Sequence, residues 1–295
     1  MSLLSHLGHK YPFLNGYGRL ANSPALRGVI DFQAAAEVRA VLRNRMMILG
    51  HRGDFVTRAA LVFGDLDPKV TLLARRLLRE GDTVIDVGAN IGVFSLFASE
   101  FVGSSGVVHA FEPQPDLIAM FNRSLQLNGV TNVEVHPAAL GEENGRRVMC
   151  VPSGNCGAAS LAWRVDGARE VEVDVLRMDD FMKKENVGPA RLMKIDVEGF
   201  ESGVIAGASK LLESGSPDAI IVEVQHSWTG GTKSVLEQLE DYGYRWWEIW
   251  PSAFQLRLGG PGIRSEKKGV HDVLAVLPGV VGQDIMSWLD FKVVP

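Results

Sequence analysis

The sequence has 295 residues, of which 46% are hydrophobic and 22% are charged, and its formal net charge at pH 7 is -5. This composition is typical of a globular protein with a large core, and it excludes a disordered, collagenous or disulfide-stapled chain. The basic residue pairs are short and scattered, whereas a nucleic-acid binder concentrates positive charge on one surface. We therefore expect no nucleic-acid partner.

The sequence also argues against a membrane or secreted protein. No apolar stretch approaches the roughly 20 residues that cross a bilayer, and the apolar run at residues 1–4 is too short for a signal peptide. Cys150 and Cys156 have no His or Cys partners at zinc spacing, so we interpret both as reduced thiols. We expect a cytoplasmic protein with no membrane partner, and a homo-oligomer is compatible with the sequence.

The first part of the chain, residues 1–62, is predicted to be an extension that precedes one large domain, residues 63–295. Apolar residues recur at helical spacing over residues 31–45. Residues 46–49 and 55–63 indicate two extended segments about a tight turn. The pattern predicts a helix followed by a β-hairpin.

The remainder of the chain alternates between helical and extended patterns. Helices are predicted at residues 68–79, 92–101, 115–127, 200–213 and 233–242, and strands at residues 83–87, 107–111, 133–136, 192–197 and 219–224. Strands separated by helices of this length pair in parallel through right-handed crossovers. The predicted fold class is therefore α/β, with a doubly wound sheet.

Two regions depart from this alternation. Residues 146–151 and 170–176 resemble strands around a loop rich in Gly, Ser and Ala, which predicts a β insertion at the rim of the sheet. Near the end, residues 244–250 and 273–277 predict a closing antiparallel pair. The aromatic side chains of that pair could line a pocket, but a place in the core is the better interpretation.

The sequence motif that carries chemistry lies where the first strand of the alternation meets its helix. Its residues are Asp86-Val87-Gly88-Ala89-Asn90-Ile91-Gly92. Open α/β sheets bind ligands at this position, and the glycines let the backbone approach a bound molecule. A dinucleotide-binding loop has a glycine where this loop has Asn90, and Asp86 disfavours an anion. The loop therefore favours a cationic cofactor such as S-adenosylmethionine, which carries a sulfonium and an ammonium group.

Two further segments complete the predicted cofactor site. Glu112 stands at the end of the second strand, roughly 20 residues after the loop. At this position a carboxylate can accept hydrogen bonds from both ribose hydroxyls. After the third strand, Ala138 and Ala139 are small enough to admit an adenine ring, although plain packing explains them equally well.

Taken together, these segments resemble the FkbM family of methyltransferases over roughly residues 63–226. The matching motifs are the loop at residues 86–92, Phe111-Glu112-Pro113, Asn128-Gly129, Ala138-Ala139-Leu140-Gly141 and Lys194-Ile195-Asp196-Val197-Glu198-Gly199. The resemblance implies a Rossmann-like class I methyltransferase sheet, S-adenosylmethionine as methyl donor, and O-methylation of a hydroxyl on a small molecule, sugar or natural-product intermediate. The predicted cofactor-binding residues are Asp86, Gly88, Asn90, Gly92, Glu112, Pro113, Ala138, Ala139 and Asp196.

Methylation of a hydroxyl requires a general base close to the sulfonium. The candidates are Asp196, Glu198, Glu223 and His226. If the fourth strand extends far enough, its period of two places Lys194, Asp196 and Glu198 on one side. We favour Asp196 for the site and His226, which titrates near neutral pH, as the base. For Lys194 we expect an exposed ion pair.

The same carboxylates could hold Mg²⁺, although the resemblance does not require a metal and we assign none. Two other functions remain open, an NAD(P)-dependent Rossmann oxidoreductase and a non-catalytic adenosyl-binding module. Asn90 argues against the oxidoreductase. The intact acids at the ends of the second and fourth strands argue against the non-catalytic module. The N-terminal extension and residues 153–163 are predicted to cover the methyl acceptor.

Overall fold

The computed structural model describes residues 23–24, 36–152, 156–164, 166–225, 234–251, 256–263 and 270–279. In chain order, its elements are β1 (Glu37–Val41), β2 (Met47–His51), α1 (Phe55–Phe63), α2 (Pro68–Leu77), β3 (Thr83–Val87), α3 (Val93–Val102), β4 (Val107–Phe111), α4 (Pro115–Asn128), β5 (Val133–His136), β6 (Ala139–Leu140), β7 (Gly145–Val151), a 3-10 turn (Cys156–Ala158), β8 (Arg169–Leu176), α5 (Met178–Lys184), β9 (Leu192–Ile195), α6 (Glu201–Gly207), α7 (Ser209–Glu213), β10 (Ala219–Gln225), α8 (Val235–Asp241), β11 (Arg245–Pro251), β12 (Leu256–Leu258) and β13 (Val270–Val276).

The large sheet has the strand order β12-β11-β13-β10-β9-β3-β4-β5. The strands from β10 to β5 in this order pair in parallel, whereas β13 pairs antiparallel with both β10 and β11. From β3 the chain first builds β4 and β5 on one side and then β9 and β10 on the other. This topology confirms the doubly wound, Rossmann-like class I methyltransferase sheet, and the switch point between β3 and β9 is where such sheets bind ligands.

Helices cover both faces of the sheet, and each face has its own apolar core. Val84 of β3 packs in the core formed with α2, α3 and α4, whereas Ile85 packs in the core formed with α5, α6, α7 and α8. Neighbouring residues serve opposite faces because side chains alternate along a strand. Burial on both faces explains why the central strands consist of nearly continuous apolar residues.

The N-terminal segment differs from its prediction. Residues 37–41 form a strand rather than part of a helix, and the hairpin consists of β1 and β2, with Glu37 opposite His51. The predicted extended segment at residues 55–63 is the helix α1. Asp54 caps it by accepting hydrogen bonds from the backbone N–H groups of Val56 and Thr57, and a left-handed Gly64 ends it. Capping thus outweighed the extended pattern of the apolar run.

The hairpin is firmly attached to α4. The backbone N–H of Met47 donates to Asn128 Oδ1 at 2.8 Å, and Asn128 Nδ2 donates back to the Met47 carbonyl at 2.7 Å. Ile48 and Leu49 are buried in the same core as α2, α3 and α4. The predicted boundary between residues 62 and 63 falls in the last turn of α1, and the division of the chain at that point stays a prediction.

The structure confirms the β insertion, in which β8 pairs antiparallel with β7 and parallel with β6. The closing antiparallel pair, β11 and β13, is also confirmed. Tyr244, just before β11, and Trp246 within it are core residues, as expected, whereas Trp250 is exposed. The helix predicted at residues 200–213 is divided into α6 and α7 at Ala208. Within the described ranges, no helix combines the length and the apolar character needed to cross a bilayer.

We predict that Asp54→Ala lowers the free energy of unfolding by about 1 kcal/mol, because α1 loses its N-terminal cap. Asp54→Asn is the matched control, since the amide oxygen can still accept from the same N–H groups. Urea denaturation of the two variants measures the difference. Equal stability of the alanine variant and the native protein would contradict this role of the cap.

Candidate active site

Two adjoining clefts open at the carboxyl ends of the parallel strands. The larger has a volume of about 350 Å³ and the smaller about 50 Å³. Both are bordered by Gly88, Asn90, Gly157 and Asp196. A single ligand can therefore extend across the loop between β3 and α3, with one end in each cleft.

The smaller cleft combines a buried acid with a narrow apolar slot. Glu112, directly after β4, borders it together with Phe111, Ala139 and other apolar residues. Its carboxylate accepts hydrogen bonds from the backbone N–H groups of Asn90 and Gln114, both at 2.9 Å. Burial raises the pKa of Glu112 to about 7, against the opposing effect of those two N–H groups. The smaller cleft thus offers a buried acid beside an apolar surface.

The loop between β3 and α3 is held by close packing rather than by side-chain bonds alone. Gly88 and Gly92 both have positive φ, and a Cβ at either position would collide, at Gly88 with the Asp196 backbone and at Gly92 with the Phe121 ring. Asn90 also adopts the left-handed conformation, and its Oδ1 accepts from the N–H of Ile91. Gly92 therefore serves the packing of α3, whereas Gly88 faces both clefts.

Asp86 lies behind this loop, with none of its surface exposed, and does not line either cleft. Ser95 Oγ donates to its carboxylate at 2.6 Å, and Lys194 Nζ lies 3.7 Å from Asp86 Oδ1. Burial raises the pKa of Asp86. The prediction of an exposed Lys194 is wrong, because its ammonium group is buried between Asp86 and Asp196, 3.1 Å from Asp196 Oδ2.

Carboxylates dominate the base of the larger cleft. One oxygen each from Asp196, Glu198 and Glu223 lies within 4.8 Å of the others. β9 ends at Ile195 and Glu198 has a positive φ of 51°, so a turn, not a continuing strand, brings the acids together. This corrects the predicted period-two placement. Strain of this kind in a residue other than glycine is often found at functional sites.

Burial and the neighbouring negative charges change how these acids titrate. Desolvation, reinforced by Asp196 and Glu201, raises the pKa of Glu198 to about 7. The pKa of Glu223 is raised much further, first by desolvation and then by Asp196 and Asp272. His226, the base favoured from the sequence, lies outside the described residues.

The sequence did not indicate the other polar side chains of the larger cleft. Lys69, from the first turn of α2, forms ion pairs with Asp67 and Asp272, each at 2.6 Å. The Asp67-Pro68 helix start places Lys69 at an N-terminus and was an available signal. Asp272 lies opposite Glu223 in the β10–β13 pairing, and that register is not visible in the sequence.

The N-terminal segment and the insertion both contribute to the rim, as the sequence predicted. Phe55 and Val56 of α1 border the larger cleft, and Gly157 borders both. In addition, Ser160 Oγ donates to the carbonyl of Glu198 at 2.7 Å, which ties the insertion to the acid turn. Covering of a bound acceptor by these elements stays a prediction.

Most of the predicted cofactor residues border a cleft. Those that do so are Gly88, Asn90, Glu112, Pro113, Ala139 and Asp196, whereas Asp86, Gly92 and Ala138 lie behind the walls. Six carboxylates and two ammonium groups line the larger cleft: Asp65, Asp67, Asp196, Glu198, Glu223, Asp272, Lys69 and Lys194. Such a surface attracts a cationic ligand and repels a pyrophosphate, so it fits S-adenosylmethionine.

We predict that Lys194→Met lowers the free energy of unfolding by about 3–5 kcal/mol, because Asp86 is left as a buried carboxylate without its cation. The double variant Asp86→Asn with Lys194→Met should lose less than the lysine variant alone, since the orphaned charge is then absent. Thermal or urea unfolding measures both. A double variant that is less stable than the lysine variant would contradict this interaction.

The family model described as "Methyltransferase FkbM domain" matches residues 86–246. The chain is 31% identical over 199 residues to 31-O-demethyl-FK506 methyltransferase FkbM of Streptomyces tacrolimicus, covering 57% of this chain and 74% of the relative. It is 30% identical over 143 residues to Methyltransferase 1 of Beauveria bassiana (strain ARSEF 2860), covering 42% and 57%.

A third relative is Hexuronic acid methyltransferase AglP of Haloferax volcanii, 28% identical over 146 residues, covering 49% of this chain and 56% of that protein. The match therefore spans little more than half the length of two of these three relatives.

The family match extends over more than half of the chain and includes the loop at Gly88, Glu112 and the acids at Asp196, Glu198 and Glu223. It agrees with the acid-lined clefts and decides against the NAD(P)-dependent alternative. The chain belongs to the FkbM methyltransferase domain family, whose cofactor is S-adenosylmethionine.

Proposed function

We propose that the protein transfers a methyl group to a hydroxyl of a small molecule or glycan. The proposal rests chiefly on the junction of the two clefts at Gly88 and Asp196, with Glu112 buried on one side and a wall of carboxylates on the other. S-adenosylmethionine supplies, when bound, an electrophilic methyl group on a positively charged sulfur. The chain supplies orientation, charge complementarity and a proton acceptor.

The residues of the smaller cleft hold the adenosyl part in this proposal. Glu112 accepts hydrogen bonds from the ribose hydroxyls, while Phe111, Ala139 and Leu140 contact the base. Asp196 borders both clefts and is therefore placed to contact the cationic part of the ligand. Asp86 acts through Lys194, which fixes Asp196, rather than by contact with the ligand.

Glu198 is the general base that the structure favours among the described candidates. With a pKa of about 7, its carboxylate is largely ionised at slightly alkaline pH and can accept the proton of a hydroxyl. Glu223, with its strongly raised pKa, remains protonated there and can donate a hydrogen bond instead. The alternative base His226 stays a prediction.

The larger cleft supports an acceptor with both polar and apolar parts. Carboxylates line its base, and Phe55, Val56 and Phe94 border it with apolar surface. Two relatives are named for an FK506 derivative and a hexuronic acid. A sugar or natural-product alcohol is therefore the acceptor we propose. Cytoplasmic location, the absence of a nucleic-acid partner and a homo-oligomeric state stay predictions.

We predict that Glu112→Ala weakens the binding of S-adenosylhomocysteine by about 1–3 kcal/mol, the effect of losing hydrogen bonds between a charged group and a buried diol. Glu112→Gln, which keeps one acceptor oxygen, should lose less. Isothermal titration calorimetry measures both, and melting curves report any loosening of the loop at Asn90. Unchanged affinity in the alanine variant would contradict the assignment of Glu112.

We predict that the methylation rate rises with pH through about 7, because Glu198 must be ionised to accept a proton. Glu198→Gln should lower kcat by about 100-fold or more and remove this pH dependence. Glu223→Gln imitates the protonated acid and should lose much less activity. Formation of S-adenosylhomocysteine, measured with a panel of sugar and natural-product alcohols, supplies the rates.

The same assay separates the remaining alternatives. A Glu198→Gln variant with the native rate and pH profile would exclude Glu198 as the base and favour His226. Cofactor binding without turnover on any acceptor of the panel would favour a non-catalytic adenosyl-binding module.

A further inference from the structure

A second group of metal-binding side chains lies outside the two clefts, on the face of the sheet that α5 covers. His109 of β4 and Glu134 of β5 are direct cross-strand partners, and His136 is the next residue of β5 on the same face. His109 Nδ1 lies 3.2 Å from His136 Nε2 and 3.3 Å from Glu134 Oε2. All three ligand atoms lie within 4.8 Å of one another.

These separations match the coordination sphere of a tetrahedral metal. Zinc binds imidazole nitrogen and carboxylate oxygen at about 2.0–2.1 Å, so two ligand atoms of a tetrahedron lie about 3.3 Å apart. The two distances measured from His109 Nδ1 correspond to two edges of such a tetrahedron. Two imidazoles and one carboxylate are also a ligand set that zinc commonly takes.

A purely hydrogen-bonded arrangement satisfies these groups less well. His109 Nδ1 faces both an imidazole nitrogen and a carboxylate oxygen, and a neutral ring has at most one proton at that atom to share between them. A cation at the centre would instead accept a lone pair from each of the three side chains.

The surroundings hold the two rings in place and supply negative charge. Phe181 of α5 packs edge-on against His109 and His136, with ring centroids 5.7 and 4.6 Å apart. Glu185, at the end of α5, is close enough to act electrostatically on both imidazoles. Glu134 is the exposed member, with 59% of its side chain accessible, so an ion can enter from solvent.

We propose that His109, Glu134 and His136 form a zinc site that links β4 to β5, with solvent at the fourth position. The site is distinct from the acid-lined clefts, but it lies directly behind one of their walls. The ring of His136 stacks on Phe111 with centroids 4.7 Å apart, and Phe111 borders the smaller cleft. Zinc at this position would therefore brace the adenosyl side of the proposed cofactor site.

Calorimetric titration of the tag-free, chelator-treated full chain with Zn²⁺ tests the proposal. We expect one zinc ion per chain that is lost in His136→Ala, and an affinity weakened by about tenfold or more in Glu134→Gln. Because Glu134 is exposed, its glutamine variant keeps the fold and can still accept a hydrogen bond from His109. His51→Ala, which removes an exposed imidazole of β2, is the matched control and should bind zinc like the native chain.

Three results would overturn the site. Equal zinc uptake by the native chain and His136→Ala would place the ion elsewhere, for example at the carboxylates of the larger cleft. Native affinity in a folded Glu134→Gln variant would remove Glu134 from the ligand set, and no uptake of zinc by the native chain would show that the three side chains form only a hydrogen-bonded cluster. Mg²⁺, which prefers an octahedron of oxygen ligands, should not compete for the site at equal concentration.

Discussion

The cross-strand ion pair between Asp86 and Lys194 is the interaction on which the site depends. These residues are direct partners in the parallel pairing of β3 with β9, the two strands that flank the topological switch point. Both are buried, and the ammonium group of Lys194 also pairs with Asp196 at the base of the larger cleft. A buried charge is tolerated only when it is paired, so the loop and the acid turn are fixed relative to one another.

This constraint creates an electrostatic environment that favours a cationic ligand. Lys194 compensates Asp86 and part of Asp196, but Glu198 and Glu223 remain close together and partly removed from water. Their raised pKa values record the resulting destabilisation of the charged forms. Binding of a sulfonium or ammonium group would stabilise the charged forms of these acids, so the site favours a cationic ligand.

The elements at the rim of the clefts can differ between proteins that share the same core sheet. The β1–β2 hairpin is anchored to α4 through Asn128, and α1 continues from it to the edge of the larger cleft. The insertion reaches the acid turn through Ser160 and Glu198. Elements outside the common sheet thus contact both clefts, which is where differences in acceptor specificity between relatives can arise.

The sequence by itself determined the alternation of strands and helices, the loop at Gly88 and the acid at Glu112, because these features depend on local periodicity and on glycine at positive φ. Tertiary structure decided what depends on register and capping. Asp54 made a helix of residues 55–63, and an early end of β9 brought Glu198 towards Glu223. Burial of Lys194 and the meeting of His109 with Glu134 likewise require strand pairing, which joins residues far apart in the chain and leaves no local pattern to read.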